Sequence, residues 1–164
     1  MREINRRRTL LAGVALTMLG SVAHAQVFPN KPIRLICPFP PAGAVDIASR
    51  AIAAELSKNL GQPVTVENRP GAGGNIGGTE AARAAPDGYT IFMTTSGIQA
   101  INPALYAKMP FDPNKDLAPV SALVSLNNVL VLHPSVKANS VAEVIALAKA
   151  QPVNYASSGS GTSI

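Results

Sequence analysis

Residues 33–61 read IRLICPFPPAGAVDIASRAIAAELSKNLG. The stretch opens on the apolar run Ile33-Arg34-Leu35-Ile36-Cys37, which stops at the breaker-rich Pro38-Phe39-Pro40-Pro41-Ala42-Gly43. Asp46 follows, then apolar residues at Ile47, Ala51, Ile52, Ala54 and Leu56, and Gly61 closes the pattern. A short apolar run bounded by breakers predicts a buried strand. Spaced apolar residues with an acid near the start and a glycine past the end predict a helix. The unit is therefore strand, loop, helix.

Working outward, the unit repeats. Val64-Thr65-Val66-Glu67 predicts a second strand, followed by the loop Asn68 to Gly78 and a short Ala-rich helix from Thr79 to Ala85. Pro86-Asp87-Gly88 is a turn signal, and Tyr89 to Thr95 predicts a third strand. Ser96 to Pro119 is irregular. Further strands are expected at Val120–Val124, Val129–Leu132 and Val153–Ala156. A helix is expected over Val141–Ala150, with Ser140 and Glu143 spaced as a capping box. Strands alternating with helices imply an α/β fold with a mainly parallel sheet covered on both faces.

Upstream, Arg2, Arg6, Arg7 and Arg8 precede an apolar run from Leu10 to about Val22, which closes on Ala23-His24-Ala25. This pattern predicts a cleavable export signal over residues 1–26. The run is shorter than the ~20 residues a membrane anchor needs. Arg7-Arg8 faintly resembles a twin-arginine signal, so both export routes stay open. Four of the fourteen basic residues and one of the nine acidic ones lie in this segment, so the formal charge of +5 falls to +2 without it. No Lys/Arg cluster remains to track a phosphate backbone, and aromatics are few, which argues against nucleic acid as a partner. The single Cys37 reads as a small buried hydrophobe in a strand.

Catalytic sets are missing. The run from Gly71 places Ile76 where a dinucleotide fingerprint needs its third glycine, and no G-x-x-x-x-G-K-[ST] occurs. Ser96, Ser158 and Ser160 do not sit in G-x-S-x-G. His133, before Pro134, reads as a surface-loop residue, and it makes no metal site with Cys37. The expectation is a protein that is not an enzyme, holds no metal and needs no cofactor.

Three strand-to-helix loops of small residues remain, after Cys37, Glu67 and Ala156. In an open parallel sheet such loops gather at the carboxyl edge of the strands, where ligands bind. Free N–H groups at helix starts attract carboxylates there without any lysine or arginine. Asp46 has two readings: it caps the first helix, or it accepts a bond from an ammonium or hydroxyl of the ligand.

The segments PFPPAGAVDIASR (38–50), VENRPGAGGNIG (66–77), PDGYT (86–90), INPALY (101–106), DPNKDLAPV (112–120) and NYASSGSGT (154–162) resemble, in order and spacing, the Bug family. These are the extracytoplasmic solute receptors of tripartite tricarboxylate transporters, and the resemblance covers essentially the whole chain after the signal. It implies a periplasmic-binding-protein-like, two-lobed protein that closes on its ligand by a hinge. Residues 27–125 would form most of lobe one and 126–164 the start of lobe two, in a truncated chain. The implied partners are a small organic acid and the permease subunits of the transporter, with the receptor itself a monomer in the periplasm. The implied ligand-binding residues are Phe39, Pro41, Ala42, Gly43, Asp46, Gly73, Gly74, Thr95, Ser96, Ser157, Ser158, Gly159, Gly161 and Thr162. Two departures stand out. The family has Gly-Gly where this chain has Ala42-Gly43, and a methyl there is expected either to tighten the loop or to block a conformation with positive φ. Family members also run to roughly twice this length. Alternative expectations are a truncated product without function, a ligand sensor, or, with less support, an enzyme of doubly wound fold.

Overall fold

The computed structural model describes residues 27–157, 159, 160 and 162, so the predicted export signal lies outside the described residues. The chain divides into two units, Met1–Asn30 and Lys31–Ile164, and every described strand and helix belongs to the second.

Three strands form its sheet: β1 (Ile33–Cys37), β2 (Val64–Asn68) and β3 (Thr90–Phe92). The order is β2-β1-β3 and both pairings are parallel, with Leu35 opposite Val66 on one side and Ile91 on the other. β1 is central because it is the most apolar run. Ile33, Leu35, Ile36 and Cys37 are all buried, as a strand covered on both faces requires. The parallel α/β expectation holds.

Helix α1 (Ala44–Leu60) covers one face and ends at Gly61 as the sequence predicts. Leu35, Ala53 and Met93 form the core there, with Val45, Ala48, Ile52, Val64, Val66 and Ile91 packed around them. The inward stripe is therefore Val45, Ala48, Ser49, Ile52 and Ala53. Ile47, Ala51 and Ala54, expected on it, face solvent. Small residues made the phase ambiguous, because Ala and Ser serve on either side of a helix. Ser49 and Ser57 satisfy their hydroxyls within the helix, donating to the carbonyls of Val45 and Ala53, each at 2.7 Å. Ser57 also accepts the Val64 N–H at 2.9 Å, fastening the helix end to the start of β2.

Helix α2 (Asn75–Ala82) covers the other face. It begins four residues before the predicted Thr79 and stops three before Ala85. A Cβ added at Gly78 would collide with the buried Phe111 ring, so glycine there permits a close approach. On this face Arg34, Glu67, Arg69 and Glu80 close a ring of ion pairs. Arg34 donates to both oxygens of Glu67 (2.8 Å each) and to Glu80 (2.6 Å), and Arg69 donates to Glu80 (2.8 Å) and Glu67 (2.9 Å).

The expected irregular stretch after β3 contains a π-helical turn (Gly97–Ile101) running into α3 (Asn102–Leu105). Helix α4 (Val141–Ala150) has the predicted bounds. The strands expected at 120–124, 129–132 and 153–156 do not form, and the second of these stretches stays exposed along its length. β-branched residues favour extended backbone, but a strand persists only where a neighbour takes up its N–H and C=O groups. Among the described residues none pairs with these stretches.

Candidate binding edge

All three strands point the same way, so Cys37, Asn68 and Phe92 end on one edge of the sheet. The loops 38–43, 69–74 and 93–96 leave from that edge.

The first loop is braced from beneath. Asn68, at the end of β2, donates from Nδ2 to the Phe39 carbonyl (2.9 Å) and to Asp46 Oδ1 (2.8 Å), and its Oδ1 accepts from Arg50 (3.1 Å). Asp46 Oδ2 accepts from Arg50 Nε and from the Ala42 N–H, both at 2.9 Å. Gly43, in extended conformation, is the N-cap of α1, so Asp46 occupies the third helical position and reaches back past the cap. Both carboxylate oxygens are thus engaged by protein donors. Arg50 first, then Asn68 and the Ala42 amide, hold this buried carboxyl well below the usual carboxylate range. Of the two readings of Asp46, the geometry matches the helix-start role. Ala42 itself sits at φ +66°, the conformation its methyl disfavours.

The second loop makes a left-handed turn. Gly71, Ala72, Gly73 and Gly74 all have positive φ (125°, 49°, 62° and 92°), and the Gly74 N–H donates to the Gly71 carbonyl at 3.0 Å. Only a glycine-rich run accepts this sequence of angles. The glycines therefore do more than loosen a loop.

Thr95 and Ser96 stand at the third strand end. The Thr95 carbonyl accepts the Gln99 N–H at 3.1 Å, and Ser96 begins the π-helical turn. The wider spacing of that turn, in which the Asn102 N–H reaches the Gly97 carbonyl, brings the Asn102 side chain inward. Fully buried, Asn102 donates to the Gly73 carbonyl (3.1 Å) and to Asn75 Oδ1 (2.7 Å), tying the third loop to the second.

The loop expected after Ala156 reaches the same place at Ser160. Tyr106 donates to the Ser160 carbonyl at 3.3 Å, and a Cβ on Gly73 would lie 2.7 Å from that oxygen. Ser157 accepts the Gly159 N–H, and Thr162 donates to the Gly159 carbonyl at 2.7 Å. Ser158 and Gly161 lie outside the described residues. Phe39, Pro41, Ala42, Gly43, Gly73, Gly74, Thr95 and Ser96 thus stand on loops at one edge, where the Ser160 carbonyl meets Gly73 and Tyr106.

Sequence reasoning missed Asn68, Arg50, Asn75 and Asn102, the amides and guanidinium that hold these loops together. Asn68 and Asn75 flank the glycine run, and that position was the available signal. His133 sits in an exposed turn with Ser135 (2.8 Å), away from these groups in hydrogen bonding, and Cys37 is buried. Among the described residues, no three His, Cys, Asp or Glu side chains come together as metal ligands.

The family model described as "Tripartite tricarboxylate transporter family receptor" matches residues 48–164. Protein BugT of Bordetella pertussis is 39% identical over 140 residues, covering 85% of this chain and 43% of that protein. The chain spans between 42% and 48% of the length of the curated relatives it matches. Among solved structures, R. palustris Rpa4515 with adipate is 37% identical, with a TM-score of 0.73 over 76% of this chain and 42% of its own. MatC of Rhodopseudomonas palustris with bound malate is 41% identical, with a TM-score of 0.57 over 58% of this chain and 33% of its own.

Proposed function

This chain belongs to the tripartite tricarboxylate transporter receptor family, and from that premise we propose that it captures a small carboxylated metabolite in the periplasm and delivers it to the transporter's permease subunits. The observation that carries the reading is the convergence of the loops after β1, β2 and β3 on one sheet edge, joined there by Ser160. At the start of α2 the Asn75 and Ile76 amides donate to the Ala72 and Gly71 carbonyls, whereas the first of these loops runs into the start of α1, whose first-turn N–H groups have no acceptor within the helix. Such groups hold a carboxylate by hydrogen bonds and by the helix dipole. The ligands of the two structural neighbours, adipate and malate, are dicarboxylates, which fits the same chemistry.

In this reading Phe39 to Gly43, Gly73, Gly74, Thr95, Ser96 and residues 157–162 form one wall of a cleft. Asp46 and Asn68 keep the first loop in shape from below. The protein binds and releases, as a monomer, and carries out no reaction. A second lobe supplies the facing wall and the side chains that choose among acids.

Thermal unfolding of the intact protein with and without added acid tests the reading. A ligand at a hundred times its Kd adds about 2.7 kcal/mol of stability. Adipate or malate is expected to raise the midpoint, while adipamide, which keeps the shape without charge, is expected to leave it in place. A di- and tricarboxylate panel without a single shift would sink the receptor reading.

A further inference from the structure

We infer that the Arg34–Glu67–Arg69–Glu80 ring sets where the glycine turn of the second loop, residues 71–74, stands, so that Glu80 and Arg69 are positioning residues for ligand binding. The inference rests on the receptor reading above. Its basis is the poverty of α2. The helix is eight residues long, NIGGTEAA, and its buried positions are Asn75, Gly77 and Gly78. Its one large apolar side chain, Ile76, is 53% exposed. Two interior glycines and so short a length leave little helical preference of its own. α2 therefore brings no large buried apolar side chain of its own to the sheet, and meets Pro38 and Phe111 only through its glycines.

The ring supplies what is missing. Glu80, the sixth residue of α2, is gripped by guanidinium groups from two places: Arg34 on β1 at 2.6 Å and Arg69 at the loop entrance at 2.8 Å. Glu67 on β2 is gripped by the same two arginines, at 2.8 and 2.9 Å. Each arginine thus faces two carboxylates and each carboxylate two arginines, with no net charge left over. A single exposed pair contributes little, but a closed network with forked Arg contacts restricts geometry in more than one direction. A shift of α2 along or away from the sheet breaks contacts at both arginines. The opposite end of α2 carries Asn75, which meets Asn102, and adjoins Gly73 and Gly74. The helix works as a short lever between the ring and the binding edge.

The test compares Glu80→Gln and Arg69→Met with Leu35→Val in the intact protein. The first two open the ring at different corners, and the third weakens the core on the other face. Adipate affinity is read by calorimetry and the exchange of the 71–78 amides by hydrogen–deuterium exchange. Both ring variants are expected to weaken adipate binding at least tenfold and to speed that exchange at least tenfold. Leu35→Val is expected to leave both within twofold, even where its unfolding midpoint falls as far. Faster exchange with unchanged affinity overturns the inference, because the ring would then hold a helix and not a site. Equal losses in Leu35→Val overturn it too. If the wild-type protein binds neither adipate nor malate, the receptor reading fails, and unchanged exchange in the ring variants separately removes the positioning claim.

Discussion

Ala42 and Ala72 are the only described non-glycine residues with positive φ, and both stand in loops at the binding edge. A left-handed alanine costs about 1–2 kcal/mol, while replacing it by glycine loosens the unfolded chain at a cost of about 0.4–1 kcal/mol. Ala42→Gly is therefore expected to stabilise the protein by roughly 0.5–1 kcal/mol. Urea unfolding with an unchanged slope checks it, and a lower midpoint would contradict the strain argument. The chain's departure from Gly-Gly at positions 42 and 43 marked this residue in the sequence. The outcome differs from a blocked conformation: the Asp46 carboxylate accepts the Ala42 amide at 2.9 Å, and the left-handed angle persists with the methyl in place. The glycines at 71, 73 and 74 were legible as a turn, but its hand was not, because composition does not say which of several positive-φ shapes a glycine run takes.

At the scale of elements, α1 and α4 start in the same manner. Asp46 and Glu143 occupy the third helical position, and each accepts the amide four residues earlier, at Ala42 (2.9 Å) and Asn139 (2.7 Å). In α4 the Ser140 hydroxyl also accepts the Glu143 N–H at 3.2 Å, so Ser140→Ala is expected to cost about 1 kcal/mol of helix stability, visible as faster amide exchange in 141–145. This capping is local chemistry, and it explains why the sequence predicted the bounds of α4 correctly. The strands expected at 120–124 and 129–132 find no pairing neighbour among the described residues, and local propensity says nothing of neighbours. The ion-pair ring has its own signature in acid. Arg34 above all holds both Glu67 and Glu80 below their ordinary value of 4.5. The unfolded chain then binds more protons as pH falls. The ring's contribution is complete above pH 4.5 and is lost as pH drops through the lower, folded values. Urea midpoints between pH 3 and 7 should show this slope, and Glu80→Gln should flatten it.

For the molecule as a whole, stability is concentrated where the sheet lies between two helices. Amides of β1 are expected to exchange orders of magnitude more slowly than those of 120–132, where Val120 is 92% exposed and no secondary structure forms. Equal rates in the two segments would contradict the fold described. The parallel sheet was legible from the alternation of strand and helix, and the edge from the loops that alternation implies. The braces were not, since Asn102 reaches Gly73 across 29 positions of sequence and only the π-helical turn brings it there. The parallel pairing also has a consequence in time. Arg34 pairs with Thr90, 56 residues later. At synthesis rates of roughly 5–20 residues per second, about 3–11 s pass between making the two halves of that ladder. Throughout that interval the most apolar strand of the sheet is a nascent segment with one flank unoccupied, open to any chaperone waiting for it.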